Sequence, residues 1–211
     1  MTATAGMVKA VVVKGGGAGM TTDMKCAEIF ASFDPEIKFG PHSKMKGTMD
    51  GYQAEHIIPT SVFHDKGRGG GKTAGCTGYS TGGATTWMVR DTQTDREEHK
   101  LLTDPMRLFS QQNDAKGKNA TLKEWLDEYK EGTKNALKNA EPKRKITNKD
   151  VDENSLIDAA AECIRARAEE SFGEMDPPVK LDTPLRNSWP ATIEQKAKAA
   201  ADNAASRSTR L

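Results

Sequence analysis

The sequence has few cysteines, few aromatic residues and no long apolar run. Cys26, Cys76 and Cys163 stand far apart and form no Cys-x-x-Cys pair, which argues against a cysteine-ligated zinc site and indicates a chain made in a reducing compartment. The apolar run at 10–13 is too short for a signal peptide or a membrane span. A net charge of +1 excludes a global basic field, so nucleic-acid binding would need a local patch.

The C-terminal third of the chain carries clear helix signals. Of the 211 residues 36% are hydrophobic and 29% charged, so we expect a modest core with long exposed helices or loops. A capping box at Thr121–Glu124 predicts a helix to about residue 139, and Asp150 is expected to cap a second one. The four prolines of 176–190 predict irregular structure, and a further capping box at Thr192–Gln195 opens an alanine-rich helix toward Leu211.

The first hundred residues are glycine-rich and contain all four histidines. Short strands are expected at 8–14, 52–58 and 85–90. Eight glycines between Gly67 and Gly83 predict a long loop that is mobile unless something holds it. Within it, Lys66 occupies the position where a nucleotide-binding phosphate loop needs glycine, which excludes that motif. A short helix is predicted at 97–102, and Asp104-Pro105 predicts a second helix start.

An acid and a histidine stand together at the end of a predicted strand. Glu55 and His56 precede Pro59, which favours a break in the strand and lets both side chains face one site. About forty residues later, His99 lies in the first turns of a predicted helix. The order strand, loop, strand, helix is a ββα pattern. A neutral imidazole can take a proton from water near pH 7, and a divalent cation can neutralise phosphate charge, so the pattern suits phosphodiester hydrolysis.

The segment Ala54–Pro59 resembles the strand motif of HNH/endonuclease VII-type nucleases, also called His-Me finger nucleases. It is most similar to the AHH branch found in bacterial polymorphic toxins, and the resemblance covers roughly Tyr52 to Phe109. It implies that His56 is the general base and that Glu55 and His99 hold a divalent metal. Mg²⁺ is expected there, with Zn²⁺ or Mn²⁺ as alternatives. Glu55 stands where the AHH motif has histidine, and no Asn-x-x-x-His spacing follows.

The resemblance also implies a fold, a role and a partner. We expect an α+β protein: a small ββα metal-nuclease core with long loops and a helical C-terminal part. Residues 1–140 would form the nuclease-like toxin domain, with its catalytic motif at 52–109, and residues 141–211 a helical extension packed on it. The chain would be an antibacterial nuclease toxin, acting on DNA rather than RNA, blocked by an acidic immunity protein and requiring no membrane. It would be made in the bacterial cytoplasm and delivered by a secretion system without a cleavable signal peptide.

Further residues near the motif are candidates for supporting roles. His64 and Glu98 are candidates to support the metal ligands from behind. His42 is expected at the surface, and the run 143–145 as a solvated linker. Two alternatives stay open: a non-catalytic effector or binding module with structural histidines, and a hydrolase of another substrate such as cell-wall peptide or lipid. The residues predicted to contact nucleic acid are Lys66, Arg68, Lys72, Arg96 and Lys100.

Overall fold

The computed structural model describes residues 7–14 and 21–208, and the predicted α+β class is confirmed. Small antiparallel sheets in the first half of the chain are followed by long helices. The strands are β1 Val8–Val12, β2 Thr21–Lys25, β3 Phe33–Asp34, β4 Phe39–Pro41, β5 Tyr52–His56, β6 Thr85–Arg90 and β7 Lys145–Ile146. The helices are α1 Cys26–Ala31, α2 His42–Met45, α3 Glu98–Ala115, α4 Leu122–Asn139, α5 Glu153–Gly173 and α6 Ile193–Ser208.

A three-stranded antiparallel sheet in the order β4-β6-β5 carries the motif. Its central strand β6 coincides with the predicted strand, and its residues 86–89 are fully buried because the sheet is covered on both faces. The edge strand β5 ends at His56, two residues before the predicted end, and Glu55 pairs with Trp87. Helix α3 follows β6, so the β5, β6, α3 order matches the expected ββα arrangement.

Helix α3 runs unbroken through Pro105, so the predicted second helix start at 104–105 is wrong. Proline at this position removes one backbone hydrogen bond. The helix stays continuous because a buried stripe with a spacing of four residues fixes it to the interior on both sides of the proline. That stripe consists of Glu98, Leu102, Met106 and Ser110.

The capping signals of the later helices were largely correct. In α4 the Thr121 hydroxyl accepts from the Glu124 N–H, and the Glu124 carboxylate accepts from the Thr121 N–H. Helix α5 is capped by Asp152 rather than by the predicted Asp150. The reciprocal Thr192–Gln195 bonds open α6, whose predicted end at 209–211 lies outside the described residues. Among the helices described, none combines the length and apolarity needed to cross a membrane.

The interior holds one hydrophobic core that includes residues from both sides of position 140. Trp87 donates its indole N–H to the Tyr129 hydroxyl at 2.6 Å, which ties the central sheet to α4. Beside this pair, fully buried Arg144 binds both carboxylate oxygens of Glu98 and donates to the Met88 carbonyl. The expectation that 143–145 is a solvated linker is therefore wrong for Arg144. The Glu98 carboxylate and the Met88 carbonyl offset the cost of burying its charge.

Two of the three cysteines form a disulfide, which the sequence did not predict. Cys26 at the start of α1 is bonded to Cys163 in α5, while Cys76 is buried and free. The expectation of reduced thiols is therefore wrong for this pair. The two cysteines are 137 residues apart in the sequence, and only the tertiary fold brings their helices together, so no local pattern could predict the bond.

The glycine-rich loop between β5 and β6 is held by many contacts. The Thr73 N–H donates to the Phe63 carbonyl at 3.0 Å, and Cys76 and Tyr79 are buried. A Cβ on Gly78 would lie 2.1 Å from the Pro177 carbonyl oxygen, so only glycine allows the proline-rich segment 176–190 to lie this close. The sequence predicted a loop that is mobile unless other parts of the molecule or a ligand contact it. The structure provides such contacts from within the chain.

Candidate active site

A cleft of about 560 Å³ opens at the end of β5 and continues into a smaller pocket of about 140 Å³. Glu55, His56, Arg68 and His99 line both parts. Neighbouring residues of a strand face opposite sides, so Glu55 and His56 would ordinarily be separated. Here β5 stops at His56, and both side chains reach the cleft, as the sequence predicted from the proline at 59.

The His56 ring is fixed by a backbone carbonyl of the glycine-rich loop. Its Nε2 lies 3.1 Å from the Thr81 carbonyl oxygen. Because a carbonyl only accepts, the hydrogen bond places the proton on Nε2 and leaves the Nδ1 lone pair as a proton acceptor. Burial lowers the pKa of His56, the bond to Thr81 partly opposes this, and the nearby His42 and Arg68 lower the pKa further. The imidazole is therefore neutral at pH 7.

His42 stacks on His56 with ring centroids 4.3 Å apart and an angle of 29° between the planes. The sequence predicted a surface histidine, but α2 places this ring half-buried against the predicted base. Burial and the charges of Lys46 and Arg68 lower the pKa of His42. No local pattern around residue 42 indicates this contact, since it depends on how α2 lies over the sheet.

Glu55 and His99, the two predicted metal ligands, lie next to each other in the cleft. The Glu55 Oε2 lies 3.5 Å from the His99 Nε2, and the side chains are 19% and 32% exposed. Burial and the nearby Asp91 carboxylate raise the pKa of Glu55 to about 8, although Arg68 acts in the opposite direction. The fold alone therefore favours the neutral acid, and a bound cation would favour the carboxylate.

Two further acids lie near the His99 ring. Glu97, only 5% exposed, has one carboxylate oxygen 4.0 Å from His99 Nδ1. Its other oxygen accepts from the N–H groups of Thr92 and Thr94, which hold the carboxylate in place. Ligand atoms of Asp91, Glu97 and His99 all lie within 4.8 Å of one another. The sequence missed Asp91 and Glu97, although their place between β6 and His99 was a usable signal.

The donor set around His99 fits a divalent cation. Asp91, Glu97 and His99 form a group that can hold a metal ion. Glu55 faces Nε2 of the His99 ring and Glu97 faces Nδ1, so an ion bound at Nε2 would take its carboxylate ligand from Glu55. Carboxylate oxygens suit Mg²⁺ and Mn²⁺, whereas an imidazole nitrogen suits Mn²⁺ and Zn²⁺. A histidine that binds a metal through one nitrogen usually donates its other N–H to a carboxylate, and Glu97 stands where it would accept that proton.

The two supporting candidates behave differently. Glu98 does not line the cleft, because consecutive helix residues point in different directions and its carboxylate binds Arg144 in the interior. Its predicted role beside the metal is corrected to a structural one. His64 does line the cleft, and its Nδ1 lies 2.9 Å from the Gly70 carbonyl oxygen. Its Nε2 is 3.3 Å from Lys72 Nζ, so His64 and Lys72 hold the glycine-rich loop.

Of the basic residues predicted to contact nucleic acid, Arg68 alone lines this cleft. Lys72 is engaged by His64, and Lys66 is exposed on the loop. Two others lie outside the cleft and are paired with acids, Arg96 with Glu141 and Lys100 with Asp95 and Asp104. The sequence overlooked Lys46, which lines the cleft next to α2.

Known proteins provide no relative from which a function could be carried over. No family model, no curated protein and no solved structure matches this chain. Its function is therefore inferred from the geometry of the cleft, together with the short motif at 54–59.

Proposed function

We propose that this chain is a metal-dependent nuclease that hydrolyses phosphodiester bonds with His56 as general base. The observation that supports it most is the combination of a histidine with a free Nδ1 and a Glu55–His99 pair in one cleft. The β5, β6, α3 order carries these residues in the sequence positions that the His-Me finger resemblance implies.

His56 accepts the proton of the attacking water at Nδ1. The Thr81 carbonyl holds the ring in the required tautomer, and the stacked His42 restricts its rotation. Because the imidazole is neutral at pH 7, the base is ready without prior deprotonation. A positioned base of this kind contributes roughly 10²–10⁴ in rate.

Glu55 and His99 would hold the metal between them in the cleft, with Glu97 orienting His99 from behind. When bound, a divalent cation there supplies charge neutralisation at the phosphate and at the leaving oxygen. We propose Mg²⁺, with Mn²⁺ and Zn²⁺ as the ions to compare. Arg68 would contribute a positive charge to the same phosphate, because it lines both parts of the cleft.

The biological role rests on the family resemblance. The chain would act on DNA as an antibacterial toxin, made in the bacterial cytoplasm and delivered by a secretion system. A producing cell would then need an immunity protein, whose acidic surface would meet the cationic side of the cleft around Arg68. Such a partner would compete with substrate for the same charges.

Incubation of the purified protein with plasmid DNA and with RNA, each with and without EDTA, tests the activity. Cleavage should require a divalent ion, and adding back Mg²⁺, Mn²⁺ or Zn²⁺ after EDTA identifies which one. His56→Ala should lower cleavage by roughly 10²–10⁴ while its thermal midpoint stays within a few degrees. Near-native cleavage by His56→Ala, or full activity in EDTA, would contradict the mechanism.

A further inference from the structure

The cleft is lined by one acid and two cations. Glu55 lies beside His99, and Lys46 and Arg68 lie near His42. Both cations are close enough to His42 to lower its pKa, in addition to the larger effect of burial. In the part of the chain that is described, neither Lys46 nor Arg68 forms an ion pair with a carboxylate.

This lack of pairing distinguishes Lys46 and Arg68 from three other cations near the motif. Arg96 and Lys100 are paired with acids at the surface, and Lys72 contacts His64. The cleft also contains an unused donor, since the Gln53 Nε2 is buried and has no acceptor among the described residues. A buried amide without a partner costs free energy, so an acceptor is expected to enter the cleft.

One phosphate held between the metal ligands and Arg68 does not use Lys46. We propose that Lys46 forms a second phosphate subsite, which binds the phosphate next to the scissile one in a polynucleotide. The inference rests on the proposed nuclease function and narrows its substrate. The enzyme takes chains with consecutive phosphates and disfavours a single phosphate ester.

Lys44 provides a matched control for Lys46. It lies in helix α2, two residues before Lys46, carries the same charge and is exposed, but it does not line the cleft. Lys46→Ala and Lys44→Ala therefore change the net charge equally and differ in the contact alone. Any effect of the overall field should be the same in both variants.

The test is the binding of a fluorescent single-stranded oligonucleotide in EDTA, measured by anisotropy, so that it does not depend on catalysis. A series of oligonucleotides replaces one phosphate at a time with an uncharged methylphosphonate. Lys46→Ala should weaken binding roughly tenfold and reduce the slope of log affinity against log salt by about 0.7, with Lys44→Ala unchanged. One methylphosphonate position should weaken the wild type but not Lys46→Ala, because the two changes remove the same contact.

The outcomes separate the subsite from the nuclease function. Wild-type affinity in Lys46→Ala, or a loss that is equal at every methylphosphonate position, would overturn the subsite whatever the cleavage assay gives. Coupling between Lys46→Ala and one methylphosphonate position, with no cleavage in the presence of any metal, would support the subsite and overturn the proposed nuclease function. Where cleavage occurs, the loss in Lys46→Ala should appear in KM rather than in kcat.

Discussion

Replacing Glu55 by glutamine tests whether the fold holds a carboxylate in a place where its charge is unfavourable without a cation. Burial, followed by the Asp91 carboxylate, raises the pKa of Glu55 from 4.5 to about 8 in the folded protein. Because the pKa of Glu55 is higher in the folded than in the unfolded chain, the neutral carboxyl stabilises the folded state. This contribution is complete below pH 4.5, the pKa in the unfolded chain. That contribution is lost as the pH rises toward 8. At pH 7 the loss is on the order of 3 kcal/mol.

Glutamine has nearly the same shape as glutamate and carries no charge. In EDTA at pH 8, Glu55→Gln should therefore be more stable than the wild type by an amount of this order, and the difference should shrink toward pH 4.5. Urea unfolding at several pH values measures it. Glu131→Gln makes the same substitution at an exposed position of α4, and should change the free energy of unfolding by less than about 0.5 kcal/mol.

The divalent ion provides the second arm of this experiment. A ligand that binds only the folded state raises its stability, so Mg²⁺ or Mn²⁺ should stabilise the wild type and have little effect on Glu55→Gln. Cleavage should be lost in the variant, despite its greater stability in EDTA. A variant that is less stable than the wild type in EDTA at pH 8 would refute the reasoning, because the carboxylate would then be stabilised by the protein itself.

Two further predictions concern contacts that only the fold creates. His42→Ala should lower kcat roughly ten- to a hundredfold with KM nearly unchanged, and His42→Phe, which keeps a ring on His56, should retain most of kcat. Equal losses in both variants would mean that His42 acts through its nitrogens instead of through stacking. Arg144→Ala should lower the free energy of unfolding by about 3–5 kcal/mol, because it leaves the Glu98 charge buried without a partner. Lys143→Ala, which removes an exposed ion pair with Glu153, should cost less than about 1 kcal/mol in the same denaturation assay, and similar costs for the two variants would contradict the assigned burial.

Local signals in the sequence were enough for the elements that carry the motif. The capping box at Thr121 correctly predicts where α4 begins. The proline at 59 correctly predicts that the strand carrying Glu55 and His56 ends nearby. The stacking of His42 could not be predicted in this way, because it depends on contacts between segments distant in the chain. The same holds for the ion pair of Glu98, since Glu97 and Glu98 are alike in sequence and only the direction of α3 separates their environments.

The Cys26–Cys163 bond makes a closed covalent ring of most of the chain. All four histidines and the whole of the three-stranded sheet lie within this ring, while the segment 176–190 and α6 lie outside it. A single proteolytic cut inside the ring therefore leaves two pieces that stay attached to each other, and their reassociation is an intramolecular step at high effective concentration. A cut in the segment that follows α5 would leave no covalent link between its two pieces. The piece with α6 could then dissociate, and the contacts of the proline-rich segment with Gly78 would be lost with it.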